Sequence, residues 1–317
     1  MTHPDATPVA FHAPVLVREV AKLLSNARHV LDCTLGGGGH SLALIEQGAR
    51  VTAIDQDPEA VAAASARLGS AIRSAQLRVI QANFGDIEAI PELTGEQFDG
   101  ILLDLGVSSH QIDAERRGFT FRQGAPLDMR MRPDADIDAA GLLNTAPETE
   151  LIRIFREHAD SPRAGRLARE IVRRRANRPF ITSDDLVGAI RAVLGPRSGP
   201  PDFAPLFQAI RIAVNDELGA LERALPALRD RLTSDGVIAV IAYHSGEDRL
   251  VKHAFAEWST SCTCPPRQPL CTCRGVALGR TITRRPIRPS TGESEANPRA
   301  RSALLRAWQR QPLAAAA

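Results

Sequence analysis

Four consecutive glycines at positions 36–39 follow the mostly apolar stretch 30–35 and precede residues 41–47, whose pattern is helical. A glycine inside a regular element costs about 1 kcal/mol, so a chain that keeps four in a row is expected to need positive φ angles or a close approach to a ligand. The helix would also present unpaired backbone N–H groups to that loop. The sequence therefore predicts a ligand-binding turn.

An acidic residue closes the next predicted strand, residues 50–57, near Asp55 and completes a β-α-β unit of the kind that binds nucleoside cofactors. The dinucleotide fingerprint G-x-G-x-x-G fails in every frame, because its third glycine falls on serine or leucine. What fits is D-x-x-x-G-x-G, with Asp32 followed by Gly36 and Gly38.

This spacing resembles the first motif of the Rossmann-like S-adenosylmethionine-dependent methyltransferases. By that resemblance Asp55 accepts hydrogen bonds from both ribose hydroxyls of the cofactor, as an acidic residue does in dinucleotide folds. The alternative is that the glycines form a merely flexible turn and that Asp55 caps the helix beginning at Pro58. The ordered succession of strand, glycines, helix, strand and acid favours the cofactor site.

Length and composition are those of a globular chain. The 317 residues can bury a substantial core in one large or two smaller domains. The net charge is only +2, and 44% of the residues are hydrophobic, which excludes gross disorder. No stretch approaches the roughly 18 apolar residues of a membrane helix, and residues 1–13 lack the apolar core of a signal peptide. We expect a cytoplasmic enzyme without membrane contact.

Three further strands are predicted at residues 77–80, 98–105 and 237–243. The carboxyl ends of parallel strands meet at the cofactor in this fold, so Phe84, just after the third strand, is placed to stack on an adenine. Plain core packing is the alternative for Phe84. The fourth strand is apolar except for Asp99 and Asp104, which indicates burial on both faces.

The fifth strand begins about 130 residues after the fourth, whereas a simple crossover needs only about 30. Helical spacing of leucines predicts that the crossover helix spans residues 207–232. The chain between them carries no strand pattern and is predicted to be an inserted helical region. Its expected helices are 148–158, 163–175 and 183–193, followed by a proline-rich loop at 194–205.

These elements predict an α/β fold, a Rossmann-like class I methyltransferase with a mostly parallel sheet and an inserted all-helical domain. The methyltransferase domain is expected to comprise residues 1–112 and 206–317. Residues 113–205 are expected to form the domain that recognises the substrate.

Two groups of arginines concentrate positive charge, one in the insertion and one near the C-terminus. Such density is typical of surfaces that bind phosphate backbones. A solvated helix face and a solvated tail are the alternatives. The groups are Arg163, Arg166, Arg169, Arg173, Arg174, Arg175 and Arg178, and Arg284, Arg285, Arg288, Arg299, Arg301, Arg306 and Arg310.

Longer motifs are more specific, above all D-L-G-V-S-S at 104–109 and P-L-D-M-R-M at 126–131. With them the chain resembles, from His12 to Arg306, the bacterial small-subunit ribosomal RNA cytosine-N4 methyltransferase family, known as RsmH or MraW. The other matching stretches are H-A-P-V-L at 12–16, L-G-G-G-G-H-S at 35–41, D-Q-D-P at 55–58, F-D-G-I-L-L at 98–103, G-F-T-F at 118–121, F-Q-A-I-R-I-A-V-N-D-E-L at 207–218, residues 244–252, and N-P-R-A-R-S at 297–302.

The resemblance implies methyl transfer from S-adenosylmethionine to the exocyclic N4 of one cytidine in the decoding region of 16S rRNA, with the small ribosomal subunit as partner. It places the cofactor contacts on Gly38, Gly39, His40, Asp55, Phe84, Asp104 and Gln111. Substrate-side positions depart from the family pattern. They are Ala242 and Tyr243 in place of serine and phenylalanine, Gly246 in place of leucine, Pro205 in place of arginine, Leu304 in place of lysine, and the absence of a tyrosine-glycine-glutamate run around 158–161.

Methyl transfer is an in-line displacement that depends on aligning donor and acceptor at about 3 to 3.5 Å, and it requires no metal. Asp104 is the expected catalytic residue, and it would bind the cofactor, hold the acceptor amino group, or do both. His244 is a second candidate, with a structural role as its alternative. The target base must be unstacked and presented, which is the task expected of the basic insertion and tail.

Four cysteines near the C-terminus, Cys262, Cys264, Cys271 and Cys273, form two C-x-C pairs. Four thiolates suit zinc, but C-x-C is not the usual C-x₂-C spacing, and reduced thiols in a proline-rich loop are the alternative. Cys33 is expected in the core of the first strand.

Two rival functions remain open: a DNA amino-methyltransferase, and a ribosome-binding protein that keeps the fold but has lost catalysis. The oligomeric state is also open, with a homodimer as one expectation.

Overall fold

The computed structural model describes residues 14–262, 264, 265, 268, 270, 272, 273 and 275–312. Expectations for residues 1–13, including the His12–Ala13 part of a family motif, and for Cys271 fall outside these residues. The described residues contain seven strands: β1 (His29–Asp32), β2 (Arg50–Asp55), β3 (Leu77–Gln81), β4 (Phe98–Asp104), β5 (Leu232–Ala242), β6 (Gly279–Thr281) and β7 (Leu304–Arg310).

The seven strands form one sheet in the order β3-β2-β1-β4-β5-β7-β6. Strands β1 to β5 pair in parallel, and β7 runs antiparallel between β5 and β6. The five predicted strands and the mostly parallel Rossmann-like sheet are confirmed. The two C-terminal strands were not predicted.

Helices cover both faces of the sheet and fill the insertion. No helix of the described residues is long and apolar enough to cross a membrane. The helices are α1 (Val17–Leu23), α2 (Gly39–Glu46), α3 (Pro58–Arg67), α4 (Gly69–Arg73), α5 (Ser109–Asp113), α6 (Ala139–Thr145), α7 (Glu148–Glu157), α8 (Ala164–Arg175), α9 (Ser183–Leu194), α10 (Pro200–Asn215), α11 (Glu217–Asp230), α12 (Ser245–Trp258) and α13 (Thr291–Ala296).

Alternation along β4 shows how the sheet is buried on both sides. Ile101 and Leu103 point to one face and pack with Leu221 and Phe255 of α11 and α12. Leu102 points to the other face, into the cluster that contains residues of α1 and α2. Side chains alternate between faces with a period of two, so a strand buried on both sides must be apolar throughout.

The insertion has a hydrophobic cluster of its own, built from α6 to α10. The predicted helices α7, α8 and α9 are confirmed within one residue at each end, and α6 is an additional helix. The cluster includes Phe203, Phe207 and Ile210, so α10 packs with the inserted helices.

The predicted single crossover helix at 207–232 is wrong. Asp216 adopts a left-handed conformation, with φ 48° and ψ 40°, which ends α10 and begins α11. Only α11 packs on the sheet, through Leu221, Leu225 and Leu228. The predicted loop at 194–205 is also partly helical, because α10 begins at Pro200, and proline is tolerated in a first helical turn.

Asn215, the last residue of α10, holds the P-L-D-M-R-M segment in place. Its Nδ2 donates to the carbonyl oxygen of Met129 at 2.7 Å, and its Oδ1 accepts from the backbone N–H of Met131 at 2.7 Å. Met129 has a positive φ of 60°, which a residue with a side chain rarely adopts. The amide of Asn215 therefore stabilises an unfavourable backbone turn.

We predict that Asn215→Ala lowers the free energy of unfolding by about 1–3 kcal/mol, because two backbone groups of the loop lose their partner. Chemical denaturation would measure the difference. Asn177→Ala is the matched control, since the exposed Asn177 side chain donates only to the carbonyl oxygen of Arg173 within α8. An equal loss in the two variants would contradict the clamping role of Asn215.

Candidate active site

A cavity of about 620 Å³ opens at the carboxyl ends of the parallel strands. Six of the seven residues expected to contact a cofactor line it: Gly39, His40, Asp55, Phe84, Asp104 and Gln111. Gly38 does not line the cavity. It has a φ of 73° and forms the N-cap of α2, so its contribution is to the shape of the loop.

The glycine loop is fixed by a buried carboxylate. Asp32, fully buried at the end of β1, accepts hydrogen bonds from the hydroxyl of Ser41 at 2.7 Å and from the backbone N–H of Thr34 at 3.1 Å. A Cβ on Gly39 would lie only 3.0 Å from the ring of Pro14, so the lack of a side chain permits this packing. The acid of the D-x-x-x-G-x-G motif therefore shapes the loop.

Asp55 ends β2 and faces the same loop. Its Oδ2 accepts from the backbone N–H of Gly36 at 2.8 Å, and its Oδ1 accepts from the backbone N–H of Asp57 at 2.9 Å. The cap of α3 is Asp57, whose carboxylate accepts from the backbone N–H of Glu59, so the alternative capping role for Asp55 is wrong. Burial raises the pKa of Asp55 to about 6.

A buried ion pair joins α3 to the segment that enters the insertion. Nη2 of Arg117 lies 2.9 Å from Oδ2 of Asp57, and both side chains are almost completely buried. Gln111 donates to the same oxygen at 2.7 Å through Nε2. Arg117 also donates to the carbonyl oxygens of Arg130 and Met131, both at 3.0 Å.

This network holds Gln111 at the cavity wall and the P-L-D-M-R-M segment beside it. The roles of Asp57 and Arg117 were missed by the sequence analysis. The motif D-Q-D-P contains Asp57, but its partner lies sixty positions later in the chain, and no local pattern connects the two.

Asp104, at the end of β4, has a polar side chain beside each carboxylate oxygen. The hydroxyl of Tyr243 donates to Oδ1 at 2.8 Å, and Nε2 of His40 lies 3.4 Å from Oδ2. The motif resemblance leads us to expect phenylalanine at position 243, and the hydroxyl of the tyrosine adds a hydrogen bond to Asp104. The sequence reveals the tyrosine but not the contact.

The pKa shifts at this cluster follow from burial and from Asp104. Burial lowers the pKa of His40, but the neighbouring Asp104 carboxylate outweighs burial and raises the pKa above its usual value. Burial, together with the charge of Asp104, raises the pKa of the Tyr243 hydroxyl well above its usual range. Tyr243 therefore remains a proton donor to Asp104 at neutral pH.

His244 is the N-cap of α12. Its Nδ1 accepts from the backbone N–H groups of Gly246 at 3.2 Å and Glu247 at 3.4 Å, so the proton of the neutral ring lies on Nε2. That nitrogen is 3.2 Å from Oε1 of Glu247. These contacts favour the structural role for His244, although its ring lines the cavity.

The side of the cavity nearest the insertion is also held by polar contacts. Arg211 of α10 and Glu217 of α11 form a largely buried, two-point ion pair at 2.8 and 2.9 Å, which spans the break at Asp216. Gln56 donates to the sulfur of Met131 at 3.0 Å. All these side chains except Asp216 line the cavity.

Many arginines of the two basic groups have protein partners. Arg285 lies with Arg18 and Arg28 in a second cavity, at the amino ends of the strands, whereas Arg299 lines the candidate site. The arginines of the C-terminal group are therefore divided between the amino ends and the carboxyl ends of the parallel strands. The partnered arginines include Arg163 with Val193, Arg174 with Glu170, Arg175 with Leu143 and Ala146, Arg299 with Asp113, Arg306 with Asp248, and Arg310 with Arg229, Asp230 and Leu232.

The sheet order, with β7 antiparallel between β5 and β6, and the glycine loop and acidic residue at the ends of β1 and β2, define a Rossmann-like class I methyltransferase. The match to known families is more specific. The chain belongs to the MraW methylase family, whose model matches residues 9–311.

Similar proteins share almost the full length of the chain. A protein of Gemmatimonas aurantiaca named ribosomal RNA small subunit methyltransferase H is 63% identical over 306 residues, covering 96% of this chain and 97% of the relative. A protein of the same name from Heliobacterium mobile is 46% identical over 309 residues, covering 94% and 98%. A solved structure of a putative rRNA methylase from Clostridium thermocellum aligns over 94% of this chain and 99% of its own, with a TM-score of 0.41 and 11% identity.

We predict that Arg117→Met lowers the free energy of unfolding by about 3–5 kcal/mol, because the carboxylate of Asp57 stays buried without its cation. The control is Arg116→Met, which removes an exposed partner of Glu59 and is expected to cost far less, because solvent screens an exposed ion pair. Denaturant titration of both variants measures the contrast. A small loss in Arg117→Met would show that the pair does not organise this wall.

Proposed function

We propose that this chain methylates small-subunit ribosomal RNA with S-adenosylmethionine as the donor, and that its target is the exocyclic N4 of a cytidine in the decoding region of 16S rRNA. The observation that carries the proposal is the cavity where the glycine loop, Asp55 and Asp104 meet. The family description supports methyl transfer, and the name of the relatives supports a ribosomal substrate. The N4 position and the decoding region rest on the motif resemblance.

The cavity residues fit the chemical groups of S-adenosylmethionine. Asp55 keeps lone pairs beyond the two that accept from Gly36 and Asp57, and these suit ribose hydroxyls. Phe84 and Asn83 follow β3 and line the wall where an adenine would stack. Among the described residues, neither ring nitrogen of the buried His40 has a hydrogen-bond partner, as expected of a group that binds a polar ligand atom.

S-adenosylmethionine supplies a methyl group on a positively charged sulfur that is already a good leaving group. The chain must hold the acceptor nitrogen in line with that methyl carbon. Asp104 is the residue we assign to this task, in addition to a cofactor contact. Tyr243 donates to Oδ1 and Nε2 of His40 lies 3.4 Å from Oδ2, so both oxygens keep lone pairs for an N–H of the cytosine amino group.

The same carboxylate has an electrostatic role. The cytosine nitrogen gains positive charge as the new N–C bond forms, and its proton becomes acidic. A fixed carboxylate beside the nitrogen stabilises that charge without having to reorient. The hydroxyl of Tyr243 holds Asp104 in place, which is the consequence we draw from the replacement of the family's phenylalanine.

We assign substrate recognition to the inserted helices, residues 113–205, and methyl transfer to the remainder. The exposed arginines of α8, Arg166, Arg169 and Arg173, suit phosphate groups of RNA. A ribosomal substrate implies the cytoplasm and the small subunit as partner. A homodimer stays a prediction.

The test of the proposed function is methylation of small ribosomal subunits from a strain that lacks the homologous enzyme. Nucleoside mass spectrometry is expected to find N4-methylcytidine after incubation with the chain and the donor, with none formed on cytosine-containing DNA. Asp104→Asn is expected to lower kcat by about 10²- to 10⁴-fold. A different methylated nucleoside, or methylated DNA, would overturn the assignment.

We predict that cofactor affinity rises with pH through about 6, the pKa of Asp55. The ionised carboxylate accepts both ribose hydroxyls and the protonated form cannot, so affinity falls below that pH by up to about tenfold per unit. Calorimetry from about pH 5 to about pH 8 measures the profile. Asp55→Asn should bind weakly without this dependence, and an unchanged slope in that variant would assign the titration to another group.

We predict that replacing Arg166, Arg169 and Arg173 by alanine weakens RNA binding and reduces the slope of affinity against salt by up to about 3, because each phosphate contact releases counterions. The matched control replaces Arg18, Arg28 and Arg285, three exposed arginines at the amino ends of the strands. Filter binding at several salt concentrations measures both. If the two triple variants changed RNA affinity and its salt dependence equally, the arginines of α8 would be a solvated helix face and not an RNA-binding surface.

A further inference from the structure

The segment between α12 and β6, residues 259–278, is long for a connection without helix or strand among its described residues. Its two ends meet, because the backbone N–H of Leu278 donates to the carbonyl oxygen of Trp258 at 2.9 Å. Apolar side chains within it are exposed, with Leu270 at 78% and Val276 at 53%. These two side chains therefore contribute little hydrophobic burial, and small loop-rich units are commonly stabilised by a metal or a cross-link instead.

Three thiols converge in this segment. The Sγ atoms of Cys262, Cys264 and Cys273 all lie within 4.8 Å of one another. The Sγ atoms of Cys262 and Cys273 are 3.9 Å apart, far longer than the roughly 2.05 Å of a disulfide. Two thiolates bound to one tetrahedral zinc ion at about 2.3 Å stand about 3.8 Å apart. The observed separation therefore matches shared coordination.

A backbone contact supports the same interpretation. The N–H of Thr272 donates to Sγ of Cys264 at 3.4 Å. Hydrogen bonds to a metal-bound sulfur orient the ligand and stabilise its negative charge. Cys262 and Cys264 lie on the arm that leaves α12 and Cys273 on the arm that leads into β6, so a metal would join the two arms.

We propose that Cys262, Cys264 and Cys273 bind one Zn²⁺ ion that holds the two arms of this segment together. Soft thiolate ligands select zinc over the hard cations magnesium and calcium. Each thiol loses its proton on binding, so three protons are released per ion and affinity falls at acidic pH. Cys271 lies outside the described residues, and the proposal does not depend on it.

The metal content of the purified chain tests the proposal. Inductively coupled plasma mass spectrometry is expected to find about one zinc per chain after extensive dialysis. The triple variant with Cys262→Ser, Cys264→Ser and Cys273→Ser should lose that zinc. Cys33→Ser is the matched control, because it removes a thiol in the sheet core and should retain the metal.

A second measurement uses the intact chain, so it tests the proposal even if the triple variant fails to fold. The intact chain is treated with iodoacetamide with and without a chelator, and alkylation is mapped by peptide mass spectrometry. The three thiols should be protected until the chelator is added, and cobalt added to the stripped chain should give a thiolate-to-metal charge-transfer band. Absence of stoichiometric zinc, alkylation that ignores the chelator, or a disulfide between Cys262 and Cys273 would each overturn the proposal.

Discussion

The ion pair between Asp57 and Arg117 is the constraint on which the rest of the site depends. Removing two charges from water costs several kcal/mol per ion, so further polar contacts to each partner are needed to offset that cost. Gln111 fills a further site on Asp57, and two carbonyl oxygens of the P-L-D-M-R-M segment fill sites on Arg117. The same contacts fix α3, α5 and the start of the insertion, and therefore one wall of the cavity.

Asp104 is contacted from two different elements. The Tyr243 hydroxyl donates to one oxygen and the His40 ring lies beside the other, so the carboxylate is held from two directions. Both residues can be found in the sequence, Tyr243 as a departure from the expected family pattern and His40 as the residue after the glycines. Only the fold reveals that they converge on one side chain.

Local patterns were sufficient to predict most of the fold and of the cavity. The glycine loop, Asp55 and the apolar strands are local signals, and the inserted helices have clear periodicity. The division between α10 and α11 was missed because the helical spacing continues through Asp216, where one residue changes the chain direction. Strand β6 is only three residues long, which is too short for a recognisable strand pattern. The partners of Asp57 and of most arginines are distant in sequence. Such long-range pairings have no local signature.

The joint at Asp216 determines how the two halves of the molecule can move. Arg211 and Glu217 form a two-point, largely buried bond on either side of it. Rotation about the joint would separate these charges in a poorly solvated setting, which is costly. The pair therefore resists rotation of α10 against α11, and with it rotation of the inserted helices that pack on α10 against the sheet that packs on α11.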